Sequence, residues 1–454
     1  MNRLRRAWLA ALLTLCVAIL VHPAIAWAHA HLKKSTPAAK SILAVAPRDI
    51  RLWFTEQPEL SFTTITLADS SGAVIALGPV EKDSVGPMAV RVTIAGTVAN
   101  GLYTVSWKTA AADGHPSSGK FTFRVAAVAV AAPAPAPGQA PPLVQLDTAT
   151  AATMDPSALT PAFVIVRAIS FAMLLSVIGA AAFKFVVLPR AVGLEASVAD
   201  DISARTATFA VGASVLLILA GVAKLCLETR MMSGPAKMDA ESLRTIAMTT
   251  SWGGAWRAQV FAAVAALIGF ALARRRLTIG WMLAGLAALG LAFSSALGGH
   301  AQSVDQLRAL AVADDALHMF GAAGWLGSLL WVVVAALGPS RSATRVASLV
   351  HAFSPAALVF ASIVALTGLV SAWLRLGALS ALWSSGYGQV LLVKLALLVV
   401  LAFVGFHNWR RVRPTLGTDA ATGRLERSAK LELGVGLLII LVTAILVATP
   451  TPLS

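Results

Sequence analysis

From position 161 onward the chain is built from long apolar runs. Eight can be traced, at about 162–188, 206–227, 255–273, 277–297, 314–337, 352–373, 389–409 and 432–449. Each lies near the roughly 20 residues that carry a helix across a bilayer. Hydrocarbon offers no partner to a backbone amide, so such runs must satisfy their own hydrogen bonds as helices. Residues 161–454 therefore read as an all-α polytopic membrane domain with eight transmembrane helices and the lipid bilayer as surroundings. Composition agrees: 57% of the chain is hydrophobic and only 13% charged, against about a quarter charged in soluble proteins.

The first 28 residues read as a signal peptide. Arg3, Arg5 and Arg6 precede an apolar stretch from about Ala7 to Val21, and Ala26-Trp27-Ala28 supplies a small-x-small cleavage site. Cleavage after Ala28 makes His29 the first residue. Cleavage after Ala30 also fits the pattern and removes it. Residues 29–125 then alternate apolar and polar side chains, as in Ile50-Arg51-Leu52-Trp53-Phe54 and Tyr103-Thr104-Val105-Ser106-Trp107. Ser70-Ser71-Gly72, Asn100-Gly101 and Asp113-Gly114 punctuate these strands, which predicts an all-β sandwich or small barrel. An Ala/Pro-rich linker covers 126–160, and its Ala-Pro alternation makes an extended spacer.

Export of the β domain fixes the direction of the first membrane helix, from outside to inside. With eight spans, the inner loops then hold Arg190, Arg205, Arg274, Arg275, Arg276, Arg341, Arg345, Arg410, Arg411, Arg413, Arg424, Arg427 and Lys430. The outer loops hold only Arg230, Lys237, Arg244, Arg308 and Arg375. This excess inside follows the positive-inside rule and accounts for much of the net charge of +15. No basic stretch is interleaved with aromatics, so nucleic acid is not an expected partner. The protein is expected in a bacterial inner membrane, multi-pass, with its β domain in the periplasm. No nucleophile motif, phosphate loop or HExxH is visible, so no enzyme is expected.

An N-terminal His29 would offer an α-amine and an imidazole on one residue, a chelate suited to Cu(II). Asp113 and His115, in Asp113-Gly114-His115-Pro116, can complete such a site from a hairpin loop. His31 offers a different second imidazole. Cys226 is the lone cysteine of the mature chain and reads as a small core residue. In the membrane domain His300 follows helix four and His318 is read as opening helix five, both on the outer side. His351 precedes helix six and His407 closes helix seven, both on the inner side. Met173, Met282 and Met319 are soft donors suited to Cu(I), and Met319, beside His318, is the best placed.

HAHLKKSTPAAKSILAVAP, EQPELSFTTITL and AADGHPSSGKFTFRV resemble the CopC family of periplasmic copper-binding proteins. That resemblance implies a cupredoxin-like Greek-key fold. It also implies a Cu(II) site from the N-terminal residue, an Asp and a His, here His29, Asp113 and His115. The mid-domain Met-rich Cu(I) site of some members is reduced here to Met88. GGHA, HMFGAAGWLGSL, HAFSPAAL, YGQVLLVKLALL, GFHNWRR and LERSAKLEL resemble the CopD family of inner-membrane copper proteins. A CopC–CopD fusion implies Cu(II) capture outside, coupled to copper transport through a path at His300, His318 and Met319, in copper homeostasis and resistance. Two other functions are consistent with these residues. Paired histidines at similar depth, His300 with His318 and His351 with His407, suit a bis-His b-haem electron carrier. A copper receptor or scaffold that transports nothing is the other.

Overall fold

The computed structural model describes residues 32–110, 116–126, 160–233, 238–298, 307–336, 342–449 and 451–452. These fall into two compact units, one of strands and one of helices.

The β unit has nine strands: β1 Leu32–Thr36, β2 Ile42–Leu43, β3 Asp49–Phe54, β4 Thr64–Asp69, β5 Val74–Ile75, β6 Leu77–Lys82, β7 Ala89–Ile94, β8 Gly101–Ala110 and β9 Pro116–Val125. They form two sheets, in the orders β1-β3-β7-β6 and β2-β9-β8-β4-β5. Only the short β2–β9 pair is parallel. The period-two pattern does what it predicts: Ile50, Leu52 and Phe54 of β3 point inward and their neighbours do not. Those side chains meet Ile65, Leu67, Val105, Phe121 and Phe123 of the other sheet, which makes the unit a β-sandwich with one core. The turn foreseen at Ser70–Gly72 is closed by Asp69. Its carboxylate accepts from the Ser71 hydroxyl and from the amides of Ser71 and Ala73, which holds its pKa below the ordinary value.

The register brings two sequence-distant points to one end of this sandwich. β8 and β9 pair from Gly101 with Val125 to Ala110 with Pro116, so residues 111–115 connect them. Leu32 at the start of β1 lies opposite Phe54. The Phe54 ring meets the Trp107 ring edge-on at 5.1 Å, three residues before Ala110. Leu32, the first described residue of the chain, and the flanking pair Ala110 and Pro116 thus share an end.

The helical unit has eight helices long and apolar enough to cross a membrane: α1 Pro161–Arg190, α2 Ala196–Ser233, α3 Ser251–Arg274, α4 Thr278–Leu297, α5 Ala309–Ala336, α6 Ala343–Leu376, α7 Gly386–Thr415 and α8 Ala420–Leu446. The helix count matches the apolar runs, but several helices are longer than their runs. Hydropathy marks the part immersed in hydrocarbon, whereas a helix ends at its cap. Ser342 caps α6 by accepting from the Arg345 amide at 3.2 Å, and Ser385 caps α7 by accepting from Gly388 at 3.0 Å.

Three of the helices carry a one-turn π-segment: Phe183–Val187 in α1, Ala323–Gly327 in α5 and Asn408–Val412 in α7. Such turns widen a helix and often mark functional places. At the α5 π-turn the chain comes against α1 without side chains between. A Cβ on Gly179 would fall on the backbone of Gly327. Close backbone approach through small residues is how helices associate without a hydrophobic drive. Trp331 reinforces the contact by donating from Nε1 to the Ser176 carbonyl at 2.8 Å.

Candidate functional site

Polar side chains from α5, α6 and α7 meet within the spanning segments, towards the end where α5 and α7 begin. Asp314 and His318 are one turn apart on α5, and so share a face. Thr367, Ser371 and Arg375 are one turn apart on α6. The Ser371 hydroxyl donates to Asp314 Oδ2 at 2.7 Å. Arg375 holds Asp315 through Nη2, at 2.8 and 2.7 Å to its two oxygens. Lys394 of α7 lies within electrostatic reach of His318, Arg375 and Asp315, and Tyr387 within reach of Arg375. Charges at this depth are costly unless they are paired or used. Asp314 is only 6% exposed, and its described partner is a neutral hydroxyl.

His318 is held by a hydroxyl of α6. Its Nδ1 lies 2.9 Å from the Thr367 hydroxyl oxygen. That hydroxyl has a single proton, which it gives to the Ile363 carbonyl at 2.6 Å. With its proton on Ile363 the hydroxyl accepts from the ring, an arrangement in which Nδ1 carries the imidazole proton and Nε2 keeps its lone pair. This is how a metal-ligating histidine is oriented by the group behind it. The ring lies against Gly368, where an added Cβ would come 3.6 Å from Cε1.

The structure corrects the reading of His318 as opening its helix. It lies nine residues after Ala309, roughly 14 Å along the helix axis. Asp314-Asp315 looks like a helix boundary in sequence, but Ser371 and Arg375 take both carboxylates inside the span. Arg375 is likewise no loop residue; it belongs to α6 and pairs with Asp315. His351, read as preceding helix six, lies within α6.

The methionines do not join this cluster. Met319 and Met173 pack against the main helical core, and Met282 is 62% exposed on α4. Cys226 is a free, partly buried thiol. His29, His31, Asp113, His115 and His300 lie outside the described residues. Among the described residues, no three His, Cys, Asp or Glu side chains converge as a metal-holding group. At the other end of the bundle, Arg413 Nε donates to His351 Nδ1 at 3.2 Å. That nitrogen is then the acceptor and the ring proton sits on Nε2. His351 and His407 are both exposed.

Sequence reasoning did not pick out Asp314, Thr367 or Ser371 as part of a site, and it read Arg375 as a loop residue. The available signal was an acidic pair beside an apolar run, with hydroxyls and an arginine spaced one turn apart in another.

Residues 32–126 match the CopC domain family. Residues 154–310 match the copper resistance protein D-like N-terminal domain, and residues 347–446 match copper resistance protein D. The chain belongs to the CopC and CopD copper-resistance families, fused in one polypeptide. The copper transport protein CutJ of Bacillus subtilis (strain 168) is 25% identical over 439 residues, 95% of this chain and 76% of that one. Protein YobA of Escherichia coli (strain K12) is 34% identical over 106 residues, 23% of this chain and 85% of that one. Among solved structures, PcoC, a methionine-rich copper resistance protein from Escherichia coli, is 31% identical with a TM-score of 0.20, and covers 22% of this chain and all of its own. CopC from Methylosinus trichosporium OB3b is 27% identical with a TM-score of 0.20, and covers 21% of this chain and 93% of its own. This CopC–CopD fusion is thus a multi-pass membrane protein of the copper-resistance families.

Proposed function

We propose that the CopC part, residues 29–125 after a signal peptide of residues 1–28, captures Cu(II) in the periplasm and supplies a copper path through the CopD part, residues 161–454. The capture site is the amine and imidazole of His29 with Asp113 and His115; His31 is a neighbour. Its support is that Leu32, three residues after His29, and Ala110 and Pro116, which flank residues 111–115, lie at one end of the sandwich. The path is admitted at the end of the bundle that carries His318. Export of the β domain and the basic residues at the opposite helix ends make the His318 end the outer one.

The single observation that carries the transport reading is His318 Nε2, left open by the Thr367 hydroxyl inside a spanning helix. Asp314, one turn away and nearly buried, supplies a negative charge for a passing cation. His300 belongs to the chain just before this end. The haem reading has no comparable observation behind it.

Copper uptake into proteoliposomes of known orientation tests this. His318→Ala should abolish uptake with the protein still inserted, and Asp314→Asn should slow it. Wild-type uptake in both variants would overturn the assignment. A Soret band in the purified protein would favour the electron carrier instead.

A further inference from the structure

A second polar constellation lies towards the opposite end, unused by the copper path above. α5, α6, α7 and α8 line a half-open cavity of about 600 Å³. Its walls are largely apolar, with Trp325, Phe353 and Phe406 among them, and Glu432 and Asn408 line it as well. Glu432 sits well inside the span of α8 and is only 7% exposed. Asn408 opens the π-turn of α7, and its Nδ2 donates to Glu432 Oε1. The Asn408 Oδ1 is buried and has no partner among the described residues. A nearly buried carboxyl is thus held by one amide, beside an unused acceptor, facing a cavity.

The other charged and titratable groups around it are few. On α8, Glu426 lines the cavity and accepts from Lys430 at 2.8 Å. On α7, Arg413 lines it and is engaged with His351 of α6. His407, Arg410 and Arg411 of α7 are exposed, and α1 and α5 put no charged side chain on the cavity wall. A bare carboxylate in hydrocarbon must find a cation or a proton. The donors here are hard oxygens, and among the described residues no Met, Cys or His lines the cavity. Cu(I) prefers soft sulfur, so the set suits a proton and not the cargo.

We propose that Glu432, positioned by Asn408, is a proton-exchanging group of the membrane domain, which couples cation passage to the pH at the Arg413 end. The carboxylic acid gives its proton to water in the cavity, leaving carboxylate and hydronium. The carboxylate balances the charge of a cation in the bundle, and takes a proton back when the cation has left. The coupling rests on the transport reading; the proton site does not.

Full-length protein in proteoliposomes tests both. The wild-type initial uptake rate should vary with pH on the Arg413 side, approaching about tenfold per pH unit on its limb. Glu432→Gln should be flat with pH, and Glu432→Asp should keep a displaced profile. A wild-type profile in Glu432→Gln overturns the proposal. Infrared spectra of the same samples, without copper, should show a titrating carboxylic C=O band that Glu432→Gln removes and His318→Ala retains. A band unchanged in Glu432→Gln also overturns it. Absent uptake in wild type with that band present would sink the transport reading and leave the proton site standing.

Discussion

Thr367→Val tests whether His318 is a prepared ligand or a packed side chain. Valine keeps the shape of threonine and removes the hydroxyl. In the wild type, the 2.9 Å contact holds the proton on Nδ1 and leaves Nε2 open. Without it, the ring loses the Thr367 hydroxyl as a partner at a site where Thr367 is only 8% exposed. An orphaned buried donor costs about 1–3 kcal/mol. The ring avoids that cost by turning or by moving its proton to Nε2, and either change spoils the ligand. The expected loss is then roughly tenfold to a hundredfold in copper affinity, the range seen when the group behind a metal ligand is removed. The assay is the copper concentration at half-maximal uptake, with copper binding to the same protein in micelles. Thr367→Ser keeps the hydroxyl and should stay near wild type. The reasoning is refuted if Thr367→Val matches wild type while His318→Ala fails, or if Ser and Val are equally impaired.

Three further outcomes are expected. Residues 29–125 with an extra methionine before His29 should bind Cu(II) far more weakly than with a free His29 amine, as should His115→Ala; affinity should also fall as pH drops through the imidazole range near about 6.5, because protons compete for the same nitrogens. Calorimetric titration showing unchanged binding in both variants would remove His29 and His115 from the site. Gly179→Ala should lower the thermal midpoint of the protein in micelles by an overpacking cost of about 1–3 kcal/mol, because its Cβ would meet the Gly327 backbone; an unshifted midpoint would mean that the helices part freely there. Reporter fusions after Arg276 and Arg413 should read cytoplasmic and those near Ala301 and at Ser454 periplasmic, and a cytoplasmic C-terminus would overturn the orientation.

What could be read in advance followed from local physics. Period-two alternation is a property of each strand, so Ile50, Leu52 and Phe54 announced a sandwich core before any partner was known. A run of about 20 apolar residues has one solution in a bilayer, so eight spans were legible from hydropathy alone. The CopC and CopD motifs carried the family in the same way. Helix ends were less legible, because caps such as Ser342 and Ser385 lie beyond the hydrocarbon that hydropathy detects.

The site was legible only in part. His318 stood out as a histidine near a span, but its depth and its tautomer depended on Thr367, which is 49 residues away on another helix. Asp314 and Asp315 looked like a boundary because a charge in isolation belongs in water. Only Ser371 and Arg375, brought alongside by the packing of α5 on α6, make them part of an interior. Glu432 and Asn408 show the same logic, as a pair joined by the contact between α8 and the π-turn of α7. The sequence by itself determined which segments are strands, which cross the membrane and which families they resemble, since these depend on periodicity and solvent preference along one chain. Tertiary structure alone decided which polar groups are paired, which nitrogen is open and which carboxyl is buried, since a hydrogen bond between helices depends on distances that no single segment contains.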